Sequence, residues 1–278
     1  MISSIDVEKK IRAFVTIEDI ISAMKAYAGI TIRKTEELVL NIRKYEENIL
    51  SALADVIAYY PDLLGEKSDR KRILVAYGSS QGLCGSYNEK LADVVSDTKK
   101  EDDELFVIGR KLKSSLESRQ LKYDYFNDSI GSVHGIEEAL RETLSRIMNI
   151  YKQTEVYNLI FIFITISGTK AETSIEQILP PDVSRVHALK PQRPLPLTYL
   201  EPVFILNKAL EELLYISLYR GFIESLRSEN WYRLRSMEGA AESLKGRISD
   251  LNSLQKYIRQ EEITEEMLEI LGSGMFYR

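Results

Sequence analysis

Apolar positions in residues 1–60 recur with a period of 3.5. One series runs Phe14, Ile21, Ala28, Thr35, Ile42, Ile49, Val56, and its companion runs Ile17, Met24, Thr31, Leu38, Tyr45, Ala52, Tyr59. Only Thr31 and Thr35 break the apolar character of this seam, and a heptad pattern sustained over that length predicts a coiled coil. Residues 203–278 repeat it less cleanly. Ala209, Ile216, Ile223, Asn230, Met237, Leu244, Leu251 and Ile258 form one series, with Leu213, Leu234, Ala241 and Ile248 between them. Arg220, Arg227 and Gln255 interrupt the second series, and Asn230 at a core position costs stability while fixing register. All seven prolines lie at 61, 180, 181, 191, 194, 196 and 202, so neither stretch carries the strongest helix breaker. At 1.5 Å per residue the two ends form rods of roughly 80 and 105 Å. Few globular cores cover that many turns, so the rods are expected to pack on each other. The chain leaves one rod, passes through a middle segment and returns, which predicts antiparallel pairing of residues 3–58 with 203–272.

Between the rods the period changes. Ile73–Gly78 reads as a short buried strand, followed by a glycine-punctuated turn and a helix over about Glu89–Val95. Leu105–Ile108 is a second strand, with a basic helix starting near Arg110. Tyr123–Phe126 is a third short strand, Ile136–Tyr151 an amphipathic helix, and Leu159–Ile166 the most apolar strand. This alternation predicts a mostly parallel sheet with helices on its faces. The fold class is therefore α/β: a long antiparallel coiled coil of N- and C-terminal helices with an inserted Rossmann-like domain of mostly parallel sheet. The expected divisions are an N-terminal coiled-coil helix over 1–60, a globular domain over 70–196 and a C-terminal coiled-coil helix over 203–278. Pro180–Pro202 holds six of the prolines and is expected to be an extended return.

Composition narrows the class of partner. A net charge of −5 and a pI near 5.4 argue against nucleic acid. The lone Cys84 forms no intrachain disulfide and suits a reducing compartment. The opening residues MISSIDVEKKIRAF lack the apolar core of a signal peptide. Val156–Ile166 is too short to cross a membrane, which takes about 20 residues. The expectation is a soluble intracellular protein without direct membrane insertion.

Candidate chemistry is thin. The turn from Gly78 to Asn88 sits between a strand and a helix, where free backbone N–H groups can cradle phosphate. It lacks the Lys-Ser/Thr ending of a Walker loop, and Gly82–Gly85 does not complete GxGxxG, so it reads first as a structural turn. His134 and His187 are the only histidines, and neither belongs to a cysteine-nucleophile signature, so Cys84 reads as a small buried residue. Carboxylates fall in helical runs such as Glu261-Glu262 and Glu265-Glu266, which mark a solvated face, and no metal-ligand spacing occurs. The run Arg110–Lys113 reads as a helix surface. No catalytic residue, cofactor or metal is assigned. On these residues alone, a coiled-coil adaptor and a nucleotide-binding α/β enzyme with helical arms both stay open.

The two ends carry a more specific text. Ile20-Ile-Ser-Ala-Met-Lys-Ala-Tyr-Ala28 with Arg33-Lys34 resembles the N-terminal helix of the gamma subunit of F-type ATP synthases. Gly82-Leu-Cys-Gly85 with Asn88 resembles that family's Gly-Leu-Cys-Gly turn, and Val107–Lys111 its Gly-Arg-Lys step. Ser174–Pro180 is similar to the segment closing its middle domain. Leu218-Tyr-Arg220, Ser225–Glu229, Arg235–Glu238 and the ending Arg259–Gly272 follow in the family's order, so the resemblance is colinear along the chain. Departures are Ser80-Gln81 where Asp-Arg is usual, an acidic rather than basic balance, Tyr27, Gly29 and Ile30 in an Ala-rich stretch, and Glu238–Ser243 in place of an Asn-rich one.

The resemblance implies a non-catalytic subunit of an ATP synthase, the central rotor shaft of a rotary proton- or sodium-translocating machine. Its implied partners are the alpha and beta subunits of the hexamer, the epsilon subunit and the membrane rotor ring. Its implied place is the cytoplasmic face of a bacterial cell membrane, as a peripheral subunit. Met24 and Lys25 match the helix region near the moving beta-subunit lever, and Arg259, Gln260 and Thr264 match the segment that meets a beta-subunit loop. Read without the family, Met24 is seam packing, and Arg259 and Gln260 are a solvated face.

Overall fold

The computed structural model describes residues 4–61, 71–128, 135–153, 158–181 and 199–275. Helix α1 spans Ser4–Tyr59, and the last helix, α5, spans Pro202–Met275. Between them lie β1 (Arg72–Tyr77), α2 (Tyr87–Thr98), β2 (Glu104–Ile108), α3 (Arg110–Ser118), β3 (Tyr125–Asn127), α4 (Ile136–Gln153), β4 (Asn158–Ser167) and β5 (Lys170–Leu179). Contacts divide the chain into two units. One holds residues 4–28 with 233–275, and the other holds 29–232. The Pro180–Pro202 return lies largely outside the described residues.

In the larger unit five strands form one sheet in the order β3-β2-β1-β4-β5. The first four are mutually parallel, and β5 runs antiparallel to β4. The mostly parallel Rossmann-like sheet is as the alternation predicts. The β4–β5 hairpin was not read from the sequence as a strand pair, because Lys170–Leu179 carries exposed and half-buried positions instead of an apolar run. It turns at Gly168, whose φ of +59° suits a residue without a Cβ.

Side chains alternate across the sheet with the strand period of two. Ile73, Val75, Tyr77, Phe106, Ile108, Leu159, Phe161 and Phe163 face one side, where they meet α1, α4 and α5. Leu74, Ala76, Leu105, Val107, Ile162 and Ile164 face the other, against α2 and α3. Helix α5 joins the first face through Leu206–Leu226 and the second through Trp231 and Tyr232. It therefore crosses the carboxyl end of β1. Gly221 permits that crossing: a Cβ there would lie 2.5 Å from Tyr77 Cζ.

In both units α1 and α5 run antiparallel. In the larger one Glu36 reaches Arg227, Arg43 reaches Glu224 and Glu46 reaches Arg220, so numbers rise on one helix as they fall on the other. In the smaller one Ile21 packs with Met237 and Leu244, and the Ser4 N–H donates to Glu262 Oε1 at 3.4 Å. The first seam series of α1 is buried or half-buried throughout. The second is not: Ile17, Tyr45 and Ala52 are exposed. Beyond Leu38 the buried face of α1 moves to Val39, Leu53, Ala54 and Ile57, because this stretch also packs beside the sheet. On α5 both series are buried or half-buried, including Arg220, Arg227 and Gln255.

Candidate functional site

The five residues singled out from the two ends all lie in the smaller unit. Met24 is half-buried against the Ile21–Met237–Leu244 cluster, and Lys25 beside it is also half-buried. Arg259, Gln260 and Thr264 are exposed on α5. Gln260 and Thr264, four residues apart, lie on one side of the helix, and Thr264 Oγ1 donates to the Gln260 carbonyl at 2.7 Å. That bond uses the hydroxyl proton and leaves its oxygen lone pairs free to accept. The two groups are not brought together. Glu262 is tied to Ser4, and Ser4 precedes Met24 by 20 residues of helix, about 30 Å.

Past Ile258 no described side chain of α5 is buried. Ile263, Met267, Ile270 and Leu271 fall at the spacing of one helical face, and they are 57–70% exposed. A polar face of Glu261, Glu262, Glu265, Glu266 and Glu269 accompanies them. This end of the chain is thus a helix with an apolar stripe that its own fold does not cover. The heptad series does not contain that stripe, since past Ile258 its positions fall on Glu262, Glu265 and Glu269, so the seam pattern gives no signal for it.

The glycine turn satisfies its own polar groups. The Ser79 N–H donates to Asn88 Oδ1 at 3.0 Å, and Asn88 Nδ2 donates to Ser79 Oγ at 2.8 Å. Cys84 is buried, with Sγ 3.4 Å from Ser79 Oγ and 3.5 Å from Asn88 Nδ2. Leu83 and Gly85 take φ of +65° and +53°, which closes the turn. In a sheet of this strand order a ligand crevice opens at the carboxyl ends of the strands where their order reverses. Here the Tyr77 carbonyl, at the end of β1, accepts from Ser225 Oγ and Tyr87 Oη, each at 3.3 Å. The Tyr87 hydroxyl lies 2.8 Å from Ser225 Oγ and accepts from Ser228 Oγ at 3.3 Å. Burial pushes its phenol pKa well up, outweighing the serine hydrogen bonds that favour ionisation. Helix α5 and Tyr87 thus fill this end of the sheet. A shallow cleft of 410 Å³ lies outside the turn, between it and Lys111, Ser114, Ser115 and Ser118 of α3. Among the described residues no group of three or more His, Cys, Asp or Glu side chains is placed to hold a metal. No described helix is long and apolar enough to cross a membrane.

A family model described as ATP synthase matches residues 3–275 of this chain. This chain belongs to the ATP synthase gamma family. It is 26% identical to the ATP synthase gamma chain of Heliobacterium modesticaldum over 285 aligned residues, covering 97% of both chains. It is 25% identical to the gamma chain of Lachnoclostridium phytofermentans, with 99% of each covered, and 23% identical to that of Mycoplasma genitalium, with 91% and 92% covered. Among solved structures it is similar to a chain of the Tetrahymena thermophila mitochondrial ATP synthase central stalk and c-ring. There the TM-score is 0.58 and the identity 19%, over 80% of this chain and 99% of that one. A chain of the Euglena gracilis mitochondrial ATP synthase rotor gives a TM-score of 0.61 at 12% identity, over 94% and 98%. The helices and the inserted sheet are the fold these chains share. As a gamma subunit the chain is non-catalytic.

Proposed function

We propose that the chain is the central rotor shaft of a rotary proton- or sodium-translocating ATP synthase. Rotation driven by ion flow turns it, and its changing orientation drives conformational change at catalytic sites on partner subunits. Coupling of this kind requires a rotor whose orientations interact differently with the states of each site. The partners in this reading are the alpha and beta subunits of the hexamer, the epsilon subunit and the membrane rotor ring. Residues 1–60 and 203–278 act as the shaft, and the domain over 70–196 meets the ring and epsilon. The subunit is peripheral, on the cytoplasmic face of a bacterial cell membrane, in keeping with the bacterial gamma chains it is similar to.

The observation that carries the reading, beyond family membership, is the uncovered apolar stripe of Ile263, Met267, Ile270 and Leu271. An apolar face left open along a helix calls for an enclosing partner. The exposed Arg259, Gln260 and Thr264 adjoin that stripe and serve as contacts to a beta-subunit loop. Arg259 contributes a charge-assisted hydrogen bond of about 1.5–3 kcal/mol if buried on assembly. The exposed parts of Met24 and Lys25 meet the beta-subunit lever. Co-purification with alpha and beta subunits as a defined complex with ATPase activity tests the reading. Failure to form such a complex, with each partner separately folded, would overturn it.

A further inference from the structure

Arg220 and Arg227 occupy seam positions on α5 where an apolar residue is the norm, seven residues apart. Each lies between α1 and the sheet. Arg220 is 6% exposed. Its Nη2 donates to Glu176 Oε2 of β5 at 2.6 Å. Its Nε lies 2.9 Å from Glu46 Oε2 of α1, an ion pair without hydrogen-bond alignment. The guanidinium also stands 5.6 Å from the ring centre of Phe163 on β4. Ser217 donates to the other Glu46 oxygen at 2.8 Å, and Ser174 to the other Glu176 oxygen at 2.9 Å, so both carboxylates are held in place. Arg227 repeats the arrangement one heptad on. It meets Glu36 of α1 at 3.2 Å and the Ile166 carbonyl of β4 at 3.5 Å.

We propose that Arg220, seconded by Arg227, is a torsional clamp that locks the α1–α5 pair to the β4–β5 hairpin. The inference rests on the rotor reading, in which torque must pass between the sheet and the helices. Burying ion pairs at a seam is rarely the most stable solution, since apolar replacements of similar volume are often neutral or better. What a planar guanidinium held between two fixed carboxylates adds is direction. The hydrophobic driving force by itself is non-directional, so a guanidinium with fixed donor directions adds a restraint beyond side-chain packing. A guanidinium bridging α1 and β5 resists turning and sliding of the helices against the sheet. Arg220 thereby positions the helices relative to the hairpin and is not itself a contact to the catalytic subunits.

Two variants separate this role from folding. In the first, Arg220→Met, Glu46→Leu and Glu176→Val are combined so that no charge is left buried alone. In the second, Glu176→Ala removes only the arm to the sheet, and Arg220 keeps Glu46 as a counter-charge. In the isolated full chain, amide exchange of Lys170–Leu179 is expected to accelerate relative to β1 in both, with the melting temperature of the first nearly unchanged. In the complex reconstituted with alpha and beta subunits, a bead on Asp97→Cys reports the angular width of the stalled rotor. That width is expected to increase in both variants while the ATP turnover rate is retained. Unchanged exchange would overturn the tie, and faster exchange with unchanged angular width would overturn its torsional role. A parent complex that hydrolyses ATP without turning would overturn the rotor reading and the torsional role together, while the exchange result would still decide the tie.

Discussion

Gly221 sits in the middle of α5, where glycine costs a helix about 1 kcal/mol relative to alanine. Propensity alone therefore predicts that Gly221→Ala stabilises. Packing opposes it, because the new Cβ would lie 2.5 Å from Tyr77 Cζ and 2.8 Å from its Oη. The Tyr77 ring cannot swing aside, being held edge-on by Phe161, Phe163 and Phe222 with centroids 5.3–6.2 Å away. Overpacking of this kind costs about 1–3 kcal/mol, so Gly221→Ala is expected to lower stability in urea unfolding, and Gly221→Val more so. Asp103 gives a second residue-scale test. Burial opposes its charge, but hydrogen bonds from Arg72, one of them at 2.8 Å, and from the Lys100 N–H at 2.7 Å outweigh it. Its carboxyl is held below the ordinary 3.8. A carboxylate depressed in the folded state adds stability above its unfolded pKa and loses it as pH falls through the folded value. Asp103→Asn should thus cost about 2 kcal/mol near neutrality, with the difference shrinking in acid. Urea titrations at neutral and acid pH measure both.

Elements differ in how well their text announces them. The heptad series Phe14–Val56 and Ala209–Ile258 mark buried faces in the fold, because a two-helix seam is a local, periodic property. Tyr45 and Ala52 do not follow, since beyond Leu38 α1 turns part of its buried face toward α4 and the sheet, which no period reports. Strand β5 escaped notice because an edge strand with one neighbour has no need of a continuous apolar run. Arg220 and Arg227 stood out as interruptions, yet their carboxylate partners on α1 lie some 175 to 190 residues away, Glu176 on β5 lies 44 residues away, and only the fold brings them near. Arg259, Gln260 and Thr264, proposed as contacts, are marked only by resemblance, because an exposed helical face looks the same before and after a partner covers it. Antiparallel pairing has a direct test. The pair Ile21→Cys with Leu244→Cys should crosslink efficiently on oxidation, whereas Ile21→Cys with Ile258→Cys should not. Efficient crosslinking of the second pair alone would contradict the register.

At the scale of the whole molecule, a non-catalytic gamma subunit is expected to act only within its complex. Replacing Arg259, Gln260 and Thr264 together by alanine should leave the helicity of the isolated chain unchanged, because all three are exposed and alanine is the strongest helix former. It should lower assembly or coupled ATPase activity of the complex, and circular dichroism with a turnover assay separates the two effects. Rotation is what the proposed function requires of this chain. The most direct measurement fixes a complex of alpha, beta and this chain to a surface, attaches a bead at Asp97→Cys, and adds ATP. The bead is expected to turn continuously in one direction in discrete steps whose rate follows ATP turnover. ATP hydrolysis by an intact complex with a bead that only fluctuates about one angle would contradict the proposed function.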